Sequence, residues 1–277
     1  MNNFIDSNKY LSIGIFSKLS GISRKNLIYY DNIGILKPLI IKDNGYRYYS
    51  YNQLDEVSII MTLKELGIPL KEIKSYIEDI SPNNLLNLIN NQKKKILEEL
   101  NRLNQMNYII EKRTDNISII STMNCNKIFL EYCDEELIFL GPEAKFYSDN
   151  LENDFINFLN YASSKNLVYG YPLGVYADYD DLSCNENHSY NYFYKIHPNL
   201  ELIQKTVKPS GFYVIAYDNS YLADNINIFY KIEKFIRSNK LSPCGNIYIE
   251  NISDEIITKD PDRFFSKISV KVTKAPL

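Results

Sequence analysis

Three groups of residues in this chain have types and spacings that can do chemistry. Arg24, Lys25 and Asn26 stand directly after Ser23, and a further cation, Arg47, stands among tyrosines in Tyr46-Arg47-Tyr48-Tyr49. Cations at the start of a helix and on a strand can reach phosphates, and the helix-borne side chains can also reach base edges. Cys125 and Cys133 form a C-x7-C pair, and two thiolates can hold Cu(I) linearly. The third group is aromatic: 15 of 24 tyrosines and 11 of 13 phenylalanines fall beyond Asn124. Tyrosine faces attract cations while their hydroxyls still find partners. Catalysis is poorly served. The two histidines, His188 and His197, have no Ser-His-acid order or Gly-rich phosphate loop beside them, so no enzyme is expected.

The elements that must position these groups can be read from spacing. Apolar residues at Ile13, Phe16, Leu19, Ile22, Leu27 and Ile28 fit two short helices packed on one core and broken at Gly21. Ser23 is a natural N-cap for the second helix. Asp43-Asn44-Gly45 makes a turn, and the Tyr46–Tyr49 strand after it makes a wing. From Pro82, with Ser81 as cap, no Gly or Pro recurs until Gly141, which predicts one long helix. Every seventh residue gives Ile89, Ile96, Leu103, Ile110 and Ile117 in one series and Leu86, Lys93, Leu100, Asn107 and Thr114 in the other. An entirely aliphatic series beside one that alternates apolar with polar predicts a coiled-coil seam and a homodimer.

The second half reads as strands near 127–132 and 136–140, a helix near 149–165, and strands near 169–176, 190–195, 202–207 and 211–217. A helix near 222–240 and strands near 246–250 and 264–272 complete it. Strand, helix, then two strands occurs around each helix, which suggests two lobes sharing one sheet with a cleft between them. The expected class is α+β, with a winged helix-turn-helix over 1–80, a dimerising helix over 81–120 and an antiparallel-sheet domain over 121–277.

Four ordered motifs resemble the MerR family of transcription regulators: Tyr29-Tyr30-Asp31, Gly34-Ile35-Leu36-Lys37-Pro38, Gly45-Tyr46-Arg47-Tyr48-Tyr49 and Leu66-Gly67-Ile68-Pro69-Leu70-Lys71-Glu72-Ile73. The resemblance implies an antiparallel dimer on a pseudo-palindromic double-stranded promoter, which it distorts so that RNA polymerase can align with both promoter elements. It makes Ser23, Arg24, Lys25, Tyr29, Tyr30, Tyr46, Arg47, Tyr48 and Lys64 candidate DNA contacts. Ile28 stands where the family usually has Arg. The expected dimer contacts are Ile89, Ile96, Leu100, Leu103, Asn107 and Ile110. Leu167-Val168-Tyr169-Gly170 and Lys208-Pro209-Ser210-Gly211-Phe212-Tyr213-Val214 resemble the gyrase-inhibitor-like effector domain of multidrug-binding members. That resemblance implies a pocket for a bulky, often cationic lipophilic effector, and the candidates are Tyr169, Tyr171, Tyr213, Asn246, Tyr248 and Glu250. Asn246 and Lys267 stand where cation-binding members carry acids, so Glu250 substitutes for them or the pocket prefers a neutral or anionic ligand. Metal sensing through Cys125 and Cys133 is the rival reading.

Length and charge are consistent with this. A chain of 277 residues suits two domains and a connector, and no apolar run reaches membrane-spanning length. The amino terminus lacks the features of a signal peptide, and four dispersed cysteines do not make a disulfide framework, so a cytoplasmic protein without cofactor or resident metal is expected. Residues 1–117 carry 16 Lys and Arg against 13 Asp and Glu, whereas residues 118–277 carry 15 against 21. The positive balance lies on the half that should meet phosphate.

Overall fold

The computed structural model describes residues 10–122, 127–145, 151–179, 189–200, 204–219, 226–260 and 263–274. Two compact units divide at Glu98 and Glu99. In the first, Ser12 accepts from the backbone N–H of Ile15 and starts α1 (Ile13–Ser20), which Gly21 ends at φ 72°. Ser23 accepts from Asn26 N at 3.2 Å and starts α2 (Arg24–Ile33), which Gly34 ends at φ 73°. Both stops use the left-handed backbone that glycine adopts without a Cβ penalty. Strands β1 (Leu11–Ser12), β2 (Ile40–Ile41) and β3 (Arg47–Tyr49) form an antiparallel sheet in the order β1-β3-β2. Helices α3 (Gln53–Glu65) and α4 (Leu70–Glu78) complete the unit's core. Phe16, Leu27, Tyr30, Leu36, Tyr49, Ile60 and Ile73 fill that core, with the Phe16 and Tyr49 rings stacked at 4.3 Å.

Helix α5 runs unbroken from Pro82 to Thr122. Its residues 105–116 lie within the second unit and bond to the rest of it through polar groups. The Gln105 amide donates to Asn166 O at 2.9 Å and accepts from Val168 N at 3.0 Å. Arg113 donates twice to Gly170 O and pairs with Asp254. Asn116 donates to Asn251 O. The aliphatic series Ile89, Ile96, Leu103, Ile110 and Ile117 lies elsewhere on the helix and is between 39% and 63% exposed.

The second unit is an eight-stranded antiparallel sheet. In chain order its elements are β4 (Ile128–Cys133), β5 (Glu136–Lys145), α6 (Leu151–Ser164), β6 (Leu173–Asp178), β7 (Ser189–Lys195), β8 (Thr206–Lys208), β9 (Gly211–Asp218), α7 (Ile226–Ser238), β10 (Leu241–Ser253) and β11 (Phe265–Lys274). The sheet order is β4-β9-β11-β10-β6-β7-β5-β8. Mixed helix and antiparallel sheet is the architecture throughout. Alternation along the strands gives the sheet two apolar faces. One packs on α6 and α7 around Phe158, Tyr192, Tyr194, Val175, Ile232 and Ile249. The other carries Ile138, Phe193, Tyr213, Tyr217, Tyr248 and Phe265, with Ile119 of α5 against it.

The strand expected near 169–176 starts instead at Leu173. Gly170 adopts φ 114°, and Pro172 has no N–H to donate to a ladder. The strand expected near 202–207 is three residues of edge, Thr206–Lys208, and residues 201–203 lie outside those described.

Candidate functional site

Two surfaces gather the residues singled out by chemistry. On the first unit, Arg24, Lys25 and Tyr29 project from α2 and are exposed, as are Tyr46 on the hairpin and Lys64 in the last turn of α3. A Cβ at Gly14 would lie 2.8 Å from Nη2 of Arg24, so the bare helix surface at that position lets the guanidinium lie across α1. In the hairpin, Gly45 turns at φ 78° and Asn44 Oδ1 accepts from Tyr46 N at 3.2 Å. Arg47 Nε donates to Asp31 Oδ2 at 2.8 Å, which ties the hairpin to α2 and aims the guanidinium. Lys42 places its ammonium 4.7 Å from the half-buried Tyr48 ring. Ile28 faces Ile13, Asn44, Gly45, Tyr46 and Arg47 around a groove of about 200 Å³.

One expectation fails here. Tyr30 is 2% exposed, because it lies three residues from Leu27 on the inner stripe of α2. It is a core residue, and only Tyr29 of the pair reaches solvent.

The second surface is the sheet face that lacks α6 and α7. The Tyr248 ring meets Tyr176 at 5.5 Å, Phe193 at 6.1 Å and Tyr213 at 6.2 Å. Glu250 lies two residues on, and so on the same face. It does not stand alone. Lys195 Nζ lies 2.8 Å from Glu136 and 2.7 Å from Glu250, and Lys208 Nζ lies 3.0 Å and 3.3 Å from the same two carboxylates. The four termini belong to β5, β7, β8 and β10, and pairing of Glu136 opposite Lys208 sets one edge of the square. Burial alone would push the Glu250 carboxyl up; Lys195, Lys208 and Lys267 outweigh it and hold it well below the usual carboxylate range. Burial likewise opposes the charge on Lys208, yet Glu250 and Glu136 raise its pKa above that of an ordinary lysine. For Tyr248 nothing comparable offsets burial, and its hydroxyl is pushed up to about 12.

Gly174 makes this arrangement sterically possible. It sits between Glu250 and Phe193 in the sheet, and a Cβ there would lie 2.4 Å from the Phe193 ring. The Phe193 ring occupies the space that the missing side chain leaves. A cavity of about 40 Å³ remains between Gly174, Phe193, Lys195 and Glu250, walled by Lys112 and Asn116 of α5. It has room for a few water molecules. Gly174→Ala is therefore expected to destabilise the chain by about 1–3 kcal/mol through overpacking. Chemical denaturation checks it, and Gly174→Ala with Phe193→Leu should recover part of the loss; equal loss in the double variant would place the strain elsewhere.

Of the six expected ligand residues, Tyr213, Tyr248 and Glu250 gather on this face, with Asn246 half-buried two residues before Tyr248. Tyr169 and Tyr171 do not join them. Tyr169 is 67% exposed in the turn before β6, and Tyr171 is buried on the opposite face, stacked on Tyr194 at 5.2 Å. Because β6 begins only at Leu173, alternation counted from Tyr169 does not apply. Sequence reasoning missed Glu136, Lys195 and Lys208, although Phe193 and Lys195 share the strand alternation that marks one face. Of the cysteine pair, Cys125 lies outside the described residues. Cys133 ends β4, and burial pushes its thiol up. Among the described residues no cluster of His, Cys, Asp and Glu could hold a metal ion, and no helix is long and apolar enough to cross a membrane. His197, just past the end of β7, accepts from Asn199 N and packs edge-on against Tyr108.

Residues 11–80 match the family described as MerR HTH family regulatory protein. The chain is 31% identical over 275 residues to the multidrug-efflux transporter 2 regulator of Bacillus subtilis (strain 168), covering 96% of this chain and 98% of that one. It is 38% identical over 102 residues to the multidrug-efflux transporter 1 regulator of the same organism, covering 36% of each. Among solved structures, the EcmrR–DNA complex determined by cryo-EM in an EcmrR-RPo assembly aligns with 96% of this chain and all of that one at 19% identity and a TM-score of 0.43. From the end-to-end similarity to the first of these relatives and the match over residues 11–80, the chain belongs to the MerR family of DNA-binding transcription regulators.

Proposed function

We propose that the chain is a homodimeric regulator whose two winged helix-turn-helix heads hold a pseudo-palindromic promoter, and whose sheet domain, built as two β-α-β-β lobes, takes a bulky aromatic or lipophilic effector on its aromatic face. The observation that carries this is the state of α5. Five branched aliphatic side chains recur at intervals of seven and stay open to solvent, while a different stripe of the same helix is already docked. Each such side chain contributes about 1.5–3 kcal/mol when fully buried. A second copy laid antiparallel along the stripe would bury it, with Leu100 and Asn107 beside it in the seam. Two heads held by one coiled coil bind at a fixed separation, and distorting the duplex between them is how such a dimer would let RNA polymerase align with both promoter elements. The effector reading is supported by the name of the Bacillus subtilis relative, a regulator of a multidrug-efflux transporter, and by the rings around Tyr248.

Selection of binding sites from a random duplex pool tests the dimer on DNA. An inverted repeat with fixed spacing is the expected result, and a single unrepeated half-site would overturn it. Within the head, Arg47→Ala should weaken binding to all sequences alike and reduce the salt slope by about one, because a wing cation held by Asp31 faces phosphate. Unchanged affinity between low and high salt would remove that role.

A further inference from the structure

The polar centre of the aromatic face has the composition of a cation cage. Two carboxylates, Glu136 and Glu250, converge there beside the faces of Tyr213 and Tyr248. Carboxylates supply charge, and tyrosine rings attract a desolvated cation by their quadrupoles. The cage is already filled. Lys208 is 1% exposed, and its ammonium lies 5.3 Å from the Tyr213 ring centre and 5.1 Å from that of Tyr248, while bonding to both carboxylates. Both carboxylates and both of these ring faces are spent on the chain's own side chain.

Charge counting extends this. Two ammoniums, Lys195 and Lys208, neutralise the two carboxylates. Lys267 is the direct cross-strand partner of Glu250 and adds positive charge beside the square. Lys112 of the adjoining cavity is paired with Asp115, and the acids Glu131 and Asp178 stand at exposed positions of the same face. A monovalent cation entering between the four termini would lose its hydration and find both Glu136 and Glu250 already paired. Of the two lysines, only Lys208 lies over the rings. It ends a three-residue edge strand bonded on one side alone, to β5, whereas Lys195 belongs to a strand paired on both sides.

We propose that Lys208 is a built-in occupant of this cage, so that the aromatic face discriminates against singly charged hydrophobic cations and favours neutral or anionic aromatic effectors. The inference rests on the reading above that this face receives the effector.

Tetraphenylphosphonium and tetraphenylborate have the same shape and opposite charge, so the ratio of their affinities isolates the charge preference from room and greasiness. Titrated calorimetrically into the full chain, the borate is expected to bind more tightly than the phosphonium. In Lys208→Met the ratio should move at least tenfold toward the phosphonium, because two carboxylates and two ring faces lose their occupant. In Lys208→Met with Glu250→Gln the same space is open but charge balance returns, and most of that shift should vanish. A wild-type preference for the phosphonium overturns the proposal, and so does a ratio that Lys208→Met leaves unchanged. The wild-type preference decides the matter by itself if Lys208→Met does not fold. Binding of neither ion by any folded form would overturn the effector-face reading, and the inference with it; binding of both at an unaltered ratio overturns the inference alone.

Discussion

Glu250→Ala is expected to destabilise the sheet unit by about 3–5 kcal/mol, the range for breaking a buried ion pair by removing one partner. Two ammoniums, one of them 1% exposed, are left with Glu136 as their only shared carboxylate. The loss should be read from chemical denaturation followed by tyrosine signals. Glu250→Ala combined with Lys208→Met should cost less than the single change, because the Lys195–Glu136 pair that remains is balanced. A single-variant loss below about 1 kcal/mol would mean that water reaches the cluster and screens it. The pH dependence has a defined sign. The folded carboxyl of Glu250 sits below its ordinary value of 4.5, so its contribution is complete above that value and is lost as pH falls through the lower folded one. The acid limb of the stability curve should therefore flatten in the variant.

Leu103→Asp is expected to dissociate the proposed dimer while leaving the subunit intact. Leu103 is 48% exposed in the chain, so the substitution costs the isolated fold little. In a two-fold seam it buries two unpaired carboxylates, each at a cost of several kcal/mol, and should raise the dimer dissociation constant by roughly a thousandfold, about 4 kcal/mol. Sedimentation should show a monomer with an unchanged melting temperature. Affinity for a two-part DNA site should fall by roughly a hundredfold or more as the second head stops being tethered. A variant that still sediments as a dimer would move the interface off this stripe.

The head was legible because its boundaries are written in residues with one physical use. Ser23 before Arg24 and the left-handed glycines at 21 and 34 mark helix ends without help from tertiary contacts. The motif names both tyrosines, but adjacent residues on a helix point about 100° apart, and the spacing of Tyr30 from Leu27 is the sign that it turns inward. In the sheet unit most strands could be read from alternation, but Tyr171 could not be assigned a face until the start of β6 was known. Lys208 was illegible for a different reason. A lysine ending a short edge strand reads as a solvent-facing residue, and only the convergence of β5, β7, β8 and β10 shows that it is enclosed. The polar stripe of α5, Gln105, Arg113 and Asn116, was hidden in the same way, because each residue looks surface-like on a helix whose aliphatic series draws the eye.

That polar stripe has a mechanical consequence. Gln105 meets Asn166 and Val168 with opposite ends of one amide, and Arg113 forks onto the carbonyl of Gly170. Greasy packing tolerates small slides, but directional bonds to backbone do not. A slip of one residue along α5 would shift these side chains by about 1.5 Å and swing them by about 100°, breaking the whole set together. The joint between the helix and the 166–170 turn therefore behaves as a keyed shaft: it transmits rotation and thrust without backlash, and it either holds its single setting or lets go.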